Sequence, residues 1–198
     1  MYVFFDVETT GLAEFERPLN DPSQPHIVQL ALVLTDADGR EIMGYKAPIL
    51  LPEGVRVDEK GKAYEVNKWS NALLDQYGVP MVQALSAFKA YQSKSVLKIA
   101  HNYRFDGFLL KAAAERYGFA ELSPPIEKYC TMTGIKAVTG KGSLKDAYAH
   151  VTGGKTIENA HDAMADVRAC KEVFFWLKKE GHFKPQPRKV PTPETAAA

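Results

Sequence analysis

Two hydrophobic patterns alternate along the chain: short apolar runs that end at turn residues, and stretches whose apolar positions recur every three or four residues. Tyr2 to Val7 is a short apolar run and reads as a strand; TTGL then marks a turn around Gly11. Residues 13–25 are polar, contain three prolines and are expected as a loop. In HIVQLALVLTDADGREIMGYKAPIL, two apolar runs flank Asp36, Asp38 and Gly39, the pattern of a hairpin. Loop and then a short helix are expected over 51–66, and Met81, Ala84, Leu85 and Phe88 recur at helical spacing. SVLKIAH reads as another strand, followed by a helix from about Phe105 to Tyr117 that Gly118 would cap. IEKYCT is a further strand, and the Gly-, Lys- and Thr-rich stretch 131–158 has room for one or two short helices. The last strong element runs from about Asp162 to Lys179, with Ala163, Val167, Cys170, Phe174 and Leu177 as its apolar stripe. Strands come first, then strands alternating with helices. That order predicts an α/β fold whose sheet is antiparallel over strands 1–3 and parallel through strands 4–5, flanked by helices.

Composition narrows this only a little. The 198 residues suit one domain with a substantial core, and 45% hydrophobic and 25% charged content is ordinary for a globular protein. A formal net charge of +1 excludes a globally basic body, so any nucleic-acid contact must rest on a local basic patch or on metal ions. The two cysteines, Cys130 and Cys170, form no CxxC and are expected as buried thiols in a reducing compartment. No apolar run approaches the ~20 residues of a membrane span, and the N-terminus lacks the features of a signal peptide. The expectation is a cytoplasmic protein without a membrane partner. After Gly181, the Pro-rich FKPQPRKVPTPETAAA shows no periodicity, which divides the chain into a domain over 1–181 and a tail over 182–198.

Candidate chemistry begins at the end of the first strand. Side chains alternate on a strand, so Asp6 and Glu8 share one face, with Tyr2 and Phe4 behind them. Ligands of α/β sheets gather at the carboxyl ends of strands. Two carboxylates this close repel, and a hard cation such as Mg²⁺ or Mn²⁺ relieves the repulsion. Asp106 stands among Phe105, Phe108 and Leu109 near a helix start, where the dipole favours an acid. Asp166 falls three residues after Ala163 and four before Cys170, at the margin of the apolar stripe. Asp162 reads as the N-cap of that helix, which leaves His161 in the loop just before it. Lys136, Lys141, Lys145 and Lys155 read as a solvated face. GGKT at 153–156 ends like a P-loop, but Ala149 stands where the leading glycine belongs. TGKGS at 139–143 fails too, with Gly142 where Ser or Thr is required.

FDVETTGL, HNYRFDGFLL and HDAMADVRA, in that order, resemble the three motifs of the DEDD exonucleases. A histidine five residues before the last aspartate is similar to the DEDDh, DnaQ-like branch, which includes the proofreading epsilon subunit of bacterial DNA polymerase. AYEVNKWS resembles the short helix after the third strand of that family. The resemblance covers roughly residues 1–180 and implies an RNase H-like fold. It implies that Asp6, Glu8, Asp106 and Asp166 hold two divalent ions, Mg²⁺ or Mn²⁺, around a scissile phosphate. His161 would be the general base that takes a proton from the attacking water. It further implies that Thr9, Thr10 and Leu12 approach the terminal nucleotide and that Asn102 orients the acids. The expected activity is 3′→5′ hydrolysis of single-stranded or frayed DNA ends, releasing nucleoside 5′-monophosphates. The alternatives are a 3′→5′ exoribonuclease or a non-catalytic nucleic-acid or protein-binding module on the same fold. For the tail, two readings stand: a disordered end, or a segment that docks a polymerase or replisome protein as tails of similar subunits do.

Overall fold

The computed structural model describes residues 1–119, 122 and 126–183. Its centre is a five-stranded sheet of β1 (Tyr2–Thr9), β2 (Ile27–Thr35), β3 (Glu41–Pro48), β4 (Leu97–Ala100) and β5 (Glu127–Cys130), in the spatial order β3-β2-β1-β4-β5. Neighbours β1/β2 and β2/β3 are antiparallel, and β1/β4 and β4/β5 are parallel. This is the expected mixed sheet. The β2–β3 hairpin closes as predicted: Asp36 Oδ1 accepts the amides of Asp38 and Arg40 at 3.0 and 2.9 Å, and Gly39 takes φ 95°.

Alternation along β1 splits the core in two. Val3, Phe5 and Val7 face α3 (Met81–Ser93) and α4 (Tyr103–Arg116), packing with Leu85, Phe88 and Leu109. Phe4 faces the other way, onto Val167, Cys170 and Phe174 of α7 (Ala163–Lys179). β2 is sandwiched between these layers, so all nine of its residues are buried, and all but Gln29 and Thr35 are apolar. α5 (Thr131–Thr139) and α6 (Leu144–Thr152) pack on the outer side of α7 through Ile135, Ala147, Val173 and Leu177. The glycine signals between these helices prove to be caps. Gly140 ends α5, Ser143 opens α6 by accepting the Asp146 amide at 3.1 Å, and Gly153 ends α6 in the left-handed region. Both P-loop look-alikes are therefore helix punctuation. Lys136, Lys141, Lys145 and Lys155 are exposed, as a solvated face requires.

Four local expectations need correction. α4 starts at Tyr103 rather than Phe105, because Asn102 adopts φ 67° and turns the chain into the helix two residues earlier. β1 extends past Val7 to Thr9, held by β2. A helix not anticipated, α2 (Asn71–Tyr77), follows the expected α1 (Lys62–Asn67); it buries only Leu74, too little to mark a periodicity. Cys170 is buried, but Cys130 is half exposed at the end of β5. Phe183 packs edge-on against Tyr129 and Phe174, with ring centroids 5.0 and 4.9 Å away. The remainder of the predicted tail, with any partner docking, lies outside the described residues. Among the described residues, no helix is long and apolar enough to cross a membrane.

Phe174 is the hub of this second layer, with edge contacts to Tyr2, Phe4, Tyr129, Phe175 and Phe183. Phe174→Ala is expected to cost about 3–5 kcal/mol in urea unfolding. A loss under ~1 kcal/mol would mean that the neighbouring rings close the cavity.

Candidate active site

The site sits where β1 outruns its parallel neighbour. Pairing between β1 and β4 ends at Phe4↔Ile99, whereas pairing with β2 continues to Thr9. Beyond Phe4 the β4 side of β1 has no strand partner. α4 fills the gap: Asp106 Oδ1 accepts the Val7 amide at 3.1 Å. Asp106 is thereby held in the first turn of α4 at only 2% exposure. Asp6 and Glu8, half-buried, project from the face of β1 that α7 covers.

The fourth carboxylate comes from the first turn of α7. Asp162 caps this helix, with Oδ1 accepting the amides of Met164 and Ala165 at 3.1 and 3.3 Å. Its Oδ2 receives Lys46 Nζ at 3.0 Å and Gln29 Nε2 at 3.4 Å, and Gln29 Oε1 accepts the Ala163 amide at 2.9 Å. The start of α7 is thus pinned to β2 and β3. Asp166, one turn on, accepts the backbone amide of His161 at 3.2 Å. His161 itself is exposed and takes φ 67°, a conformation that side chains other than glycine seldom adopt. That geometry brings one ligand atom each of Glu8, His161 and Asp166 within 4.8 Å of one another.

Electrostatics shows that all four acids share one environment. Burial pushes the Asp6 carboxyl well above the carboxylate range, and repulsion from Asp106, Glu8, Asp166 and Asp162 adds to it. Glu8 rises to about 8 through burial and the charges of Asp166 and Asp106, against a hydrogen bond from Asn67. Asp106 rises to about 8 through burial and Asp166, although the Val7 amide pulls the other way. Asp166 is raised by burial and by Asp162, and lowered in part by His161. Asp162 runs opposite: burial pushes it up, but Lys46, Gln29 and the helix amides hold it below its ordinary value. It is a structural cap, as its sequence position predicts. Buried, mutually repelling oxygen donors with a nearby imidazole fit a hard divalent cation, which would neutralise the charge that burial disfavours.

The neighbouring turn carries the other expected residues. Thr9 is buried and its hydroxyl donates to Gly11 O at 2.6 Å; Thr10 Oγ1 accepts the His26 amide at 3.0 Å. Both hydroxyls shape the turn. Leu12 stands 84% exposed at its tip. Asn102 is half-buried and forms no side-chain cap bond. Sequence reasoning missed Asn67. Its Nδ2 donates to Thr9 O at 2.9 Å, tying α1 to the end of β1 next to Glu8. The only signal was its place in AYEVNKWS.

Residues 3–174 match the family model RNase_T, described as Exonuclease. No curated protein matches the chain by sequence. Among solved structures, the chain is similar to exonuclease I of E. coli in a zinc-bound complex with single-stranded DNA, at 18% identity and a TM-score of 0.69. That match covers 90% of this chain and 40% of exonuclease I, so the chain spans about 40% of that relative's length. Exonuclease X in complex with 5′-overhanging duplex DNA matches at 17% identity and a TM-score of 0.63, covering 91% and 93% of the two chains. The nuclease domain of 3′hExo, a DEDDh family member bound to rAMP, matches at 10% identity and 0.68, covering 91% and 92%. At these identities the likeness is one of fold, the RNase H-like mixed sheet.

Raised carboxyl values carry a stability prediction whose sign is the reverse of the usual acid. In the unfolded chain Glu8 and Asp106 ionise near pH 4, and in the metal-free fold near 8. Between these values the folded protein holds more protons, so its stability falls as pH rises. In EDTA, the melting temperature should therefore drop from pH 6 to pH 8, and Glu8→Gln should flatten that slope. Identical slopes in parent and variant would remove Glu8 from the repelling cluster.

Proposed function

The chain belongs to the exonuclease family, and on that premise we propose that it is a DEDDh-type, metal-dependent 3′→5′ exonuclease acting on single-stranded or frayed DNA ends. The observation that carries this reading is the convergence of Glu8, His161 and Asp166 beside the half-buried Asp6 and the buried Asp106. Asp6, Glu8, Asp106 and Asp166 would hold two divalent cations, Mg²⁺ or Mn²⁺, since carboxylate oxygens suit hard ions. When bound, such ions polarise a scissile phosphate and make water a better nucleophile.

The chain's own residues do the rest. His161, exposed on the loop that Asp166 anchors, accepts the proton of the attacking water on a ring nitrogen. Imidazole is the side chain best suited to accept a proton near neutral pH. The water oxygen bonds to phosphorus as the bond from phosphorus to the 3′ oxygen breaks. That oxygen takes up a proton, and a nucleoside 5′-monophosphate leaves. Asn67 ties the end of β1, next to Glu8, to α1 through the Thr9 carbonyl. Leu12, projecting from a turn that Thr9 and Thr10 brace, offers an apolar surface for the terminal base. Asn102 turns the chain so that Asp106 enters from α4.

The deciding experiment incubates 5′-labelled single-stranded DNA and its RNA counterpart with Mg²⁺, with Mn²⁺ and with EDTA. A metal-dependent ladder shortening from the 3′ end is expected, faster on DNA, and absent in Asp6→Ala and Asp166→Ala. Unchanged hydrolysis in either variant would overturn the site assignment, and a faster RNA ladder would make the enzyme an exoribonuclease.

His161→Ala should slow hydrolysis by about 10²–10⁴-fold at saturating metal, with the metal concentration for half-maximal rate unchanged. A parallel loss of metal affinity would make His161 a ligand instead, a role its distance from Glu8 and Asp166 also permits.

A further inference from the structure

A second group of like charges lies on the other side of α4. Lys98 of β4 and Lys128 of β5 are register partners on the parallel pair, so they stand side by side on one face of the sheet. Lys111 of α4 lies close enough to act on the Lys98 charge. Like charges directly opposite across strands destabilise a sheet. Lys98 is only 9% exposed, and among the described residues its ammonium makes no hydrogen bond or ion pair. Burial, with the charges of Lys111 and Lys128, lowers its value to about 8. Three lysine charges gathered with no carboxylate among the described residues that line the groove repel one another, and an anion between them would relieve that repulsion.

These lysines line a groove of about 800 Å³ that also holds Arg104, Phe15 and Tyr103. Among the described residues that line it there is no aspartate or glutamate. Arg104 lies over the Phe15 ring at 4.2 Å, Phe15 meets Phe108 edge-on at 5.1 Å, and Lys128 lies over Tyr103 at 5.8 Å. The larger cleft between β3, α6 and α7, about 930 Å³, differs in kind: its Lys46, Arg168 and Lys171 are already paired with Asp162 or Glu41. Cations alternating with aromatic faces, and no acid, match the chemistry that tracks a single-stranded backbone and stacks its bases. The groove reaches the start of α4: Asn102, Tyr103 and Arg104 line it, two to four residues before Asp106, and Phe15 lies three residues after Leu12.

We infer that this groove, through Lys98, Lys111, Lys128 and Arg104, holds phosphates of the substrate strand upstream of the nucleotide being removed. The inference rests on the exonuclease reading for the position of the 3′ end, but its test does not depend on hydrolysis. Binding of a fluorescein-labelled twelve-nucleotide single-stranded DNA is measured by anisotropy in EDTA, across a series of salt concentrations. Binding of dTMP is measured alongside by calorimetry. In the triple variant Lys98→Met/Lys111→Gln/Lys128→Gln, the oligonucleotide affinity should fall tenfold or more. The slope of log affinity on log salt should shrink by about 2, at ~0.7 per lost phosphate contact. The dTMP affinity should change less than twofold. Because the substitutions remove repulsion, the variant should melt no lower than the parent. Lys111→Gln/Lys128→Gln, changing exposed residues only, should show the same trend with a slope change of about 1.4. Parent-like oligonucleotide binding and slope in both variants would overturn the inference. An equal loss of dTMP binding would overturn it as well, because the groove would then be a nucleotide pocket rather than a strand path. Loss of strand binding in the variants, with a parent that binds the strand but hydrolyses neither DNA nor RNA, would leave the groove standing and remove the exonuclease reading alone.

Discussion

Mutual repulsion among Asp6, Glu8, Asp106 and Asp166 is the constraint around which this molecule is arranged. Four carboxylates taken partly out of water in one place oppose folding, so the scaffold must force them together. Each is attached to an element that the core holds independently. β1 is clamped between α3/α4 and α7 by Phe5 and Phe4, and α4 is held by Leu109 and Leu110. α7 is held by Val167, Cys170 and Phe174. The acids therefore sit on rigid strands and helix starts rather than on mobile loops, and the energy of burying those apolar residues offsets the repulsion.

The topology gives the place where this can happen. A parallel neighbour that stops early leaves the last residues of β1 with one unpaired edge. An open amide edge must be satisfied, and Asp106 satisfies it at Val7. The same hydrogen bond that completes the strand thus delivers an acid to Asp6 and Glu8. On the other side, Gln29 and Lys46 hold the Asp162 cap, which fixes the start of α7 and with it Asp166. His161 is squeezed into the left-handed region between that cap and the Asp166 carboxylate. Strain of this kind at a non-glycine residue persists only when its surroundings over-determine it.

Much of this was legible in the sequence, and the limits have physical reasons. Alternation put Asp6 and Glu8 on one face of a strand, and the 3.6-residue period put Asp166 at the margin of the α7 stripe. Position alone identified Asp162 as a cap. These are local rules, and they held. What escaped was non-local or weakly anchored. α2 is fastened by Leu74 alone, so no periodicity announced it. Asn67 acquires its role only because α1 folds back on Thr9, nearly sixty positions away in the chain; its hydrogen bond spans |i−j| = 58. Lys98, one polar residue in SVLKIAH, reads as ordinary until the β4–β5 register sets Lys128 beside it.

A net charge of +1 now has a different meaning. The balance is not achieved by pairing opposite charges throughout; it conceals two segregated clusters, acids on one flank of the start of α4 and lysines on the other. Each cluster is unfavourable by itself, and local consistency, which most folded sequences keep, is broken at both. A phosphodiester strand with divalent cations at its end carries the complementary pattern: positive charge where the carboxylates gather, negative charge where the lysines do. One ligand would relieve both conflicts at once. The first turn of α4 joins the two halves, since Asp106 belongs to one and Arg104, two residues earlier, lines the other.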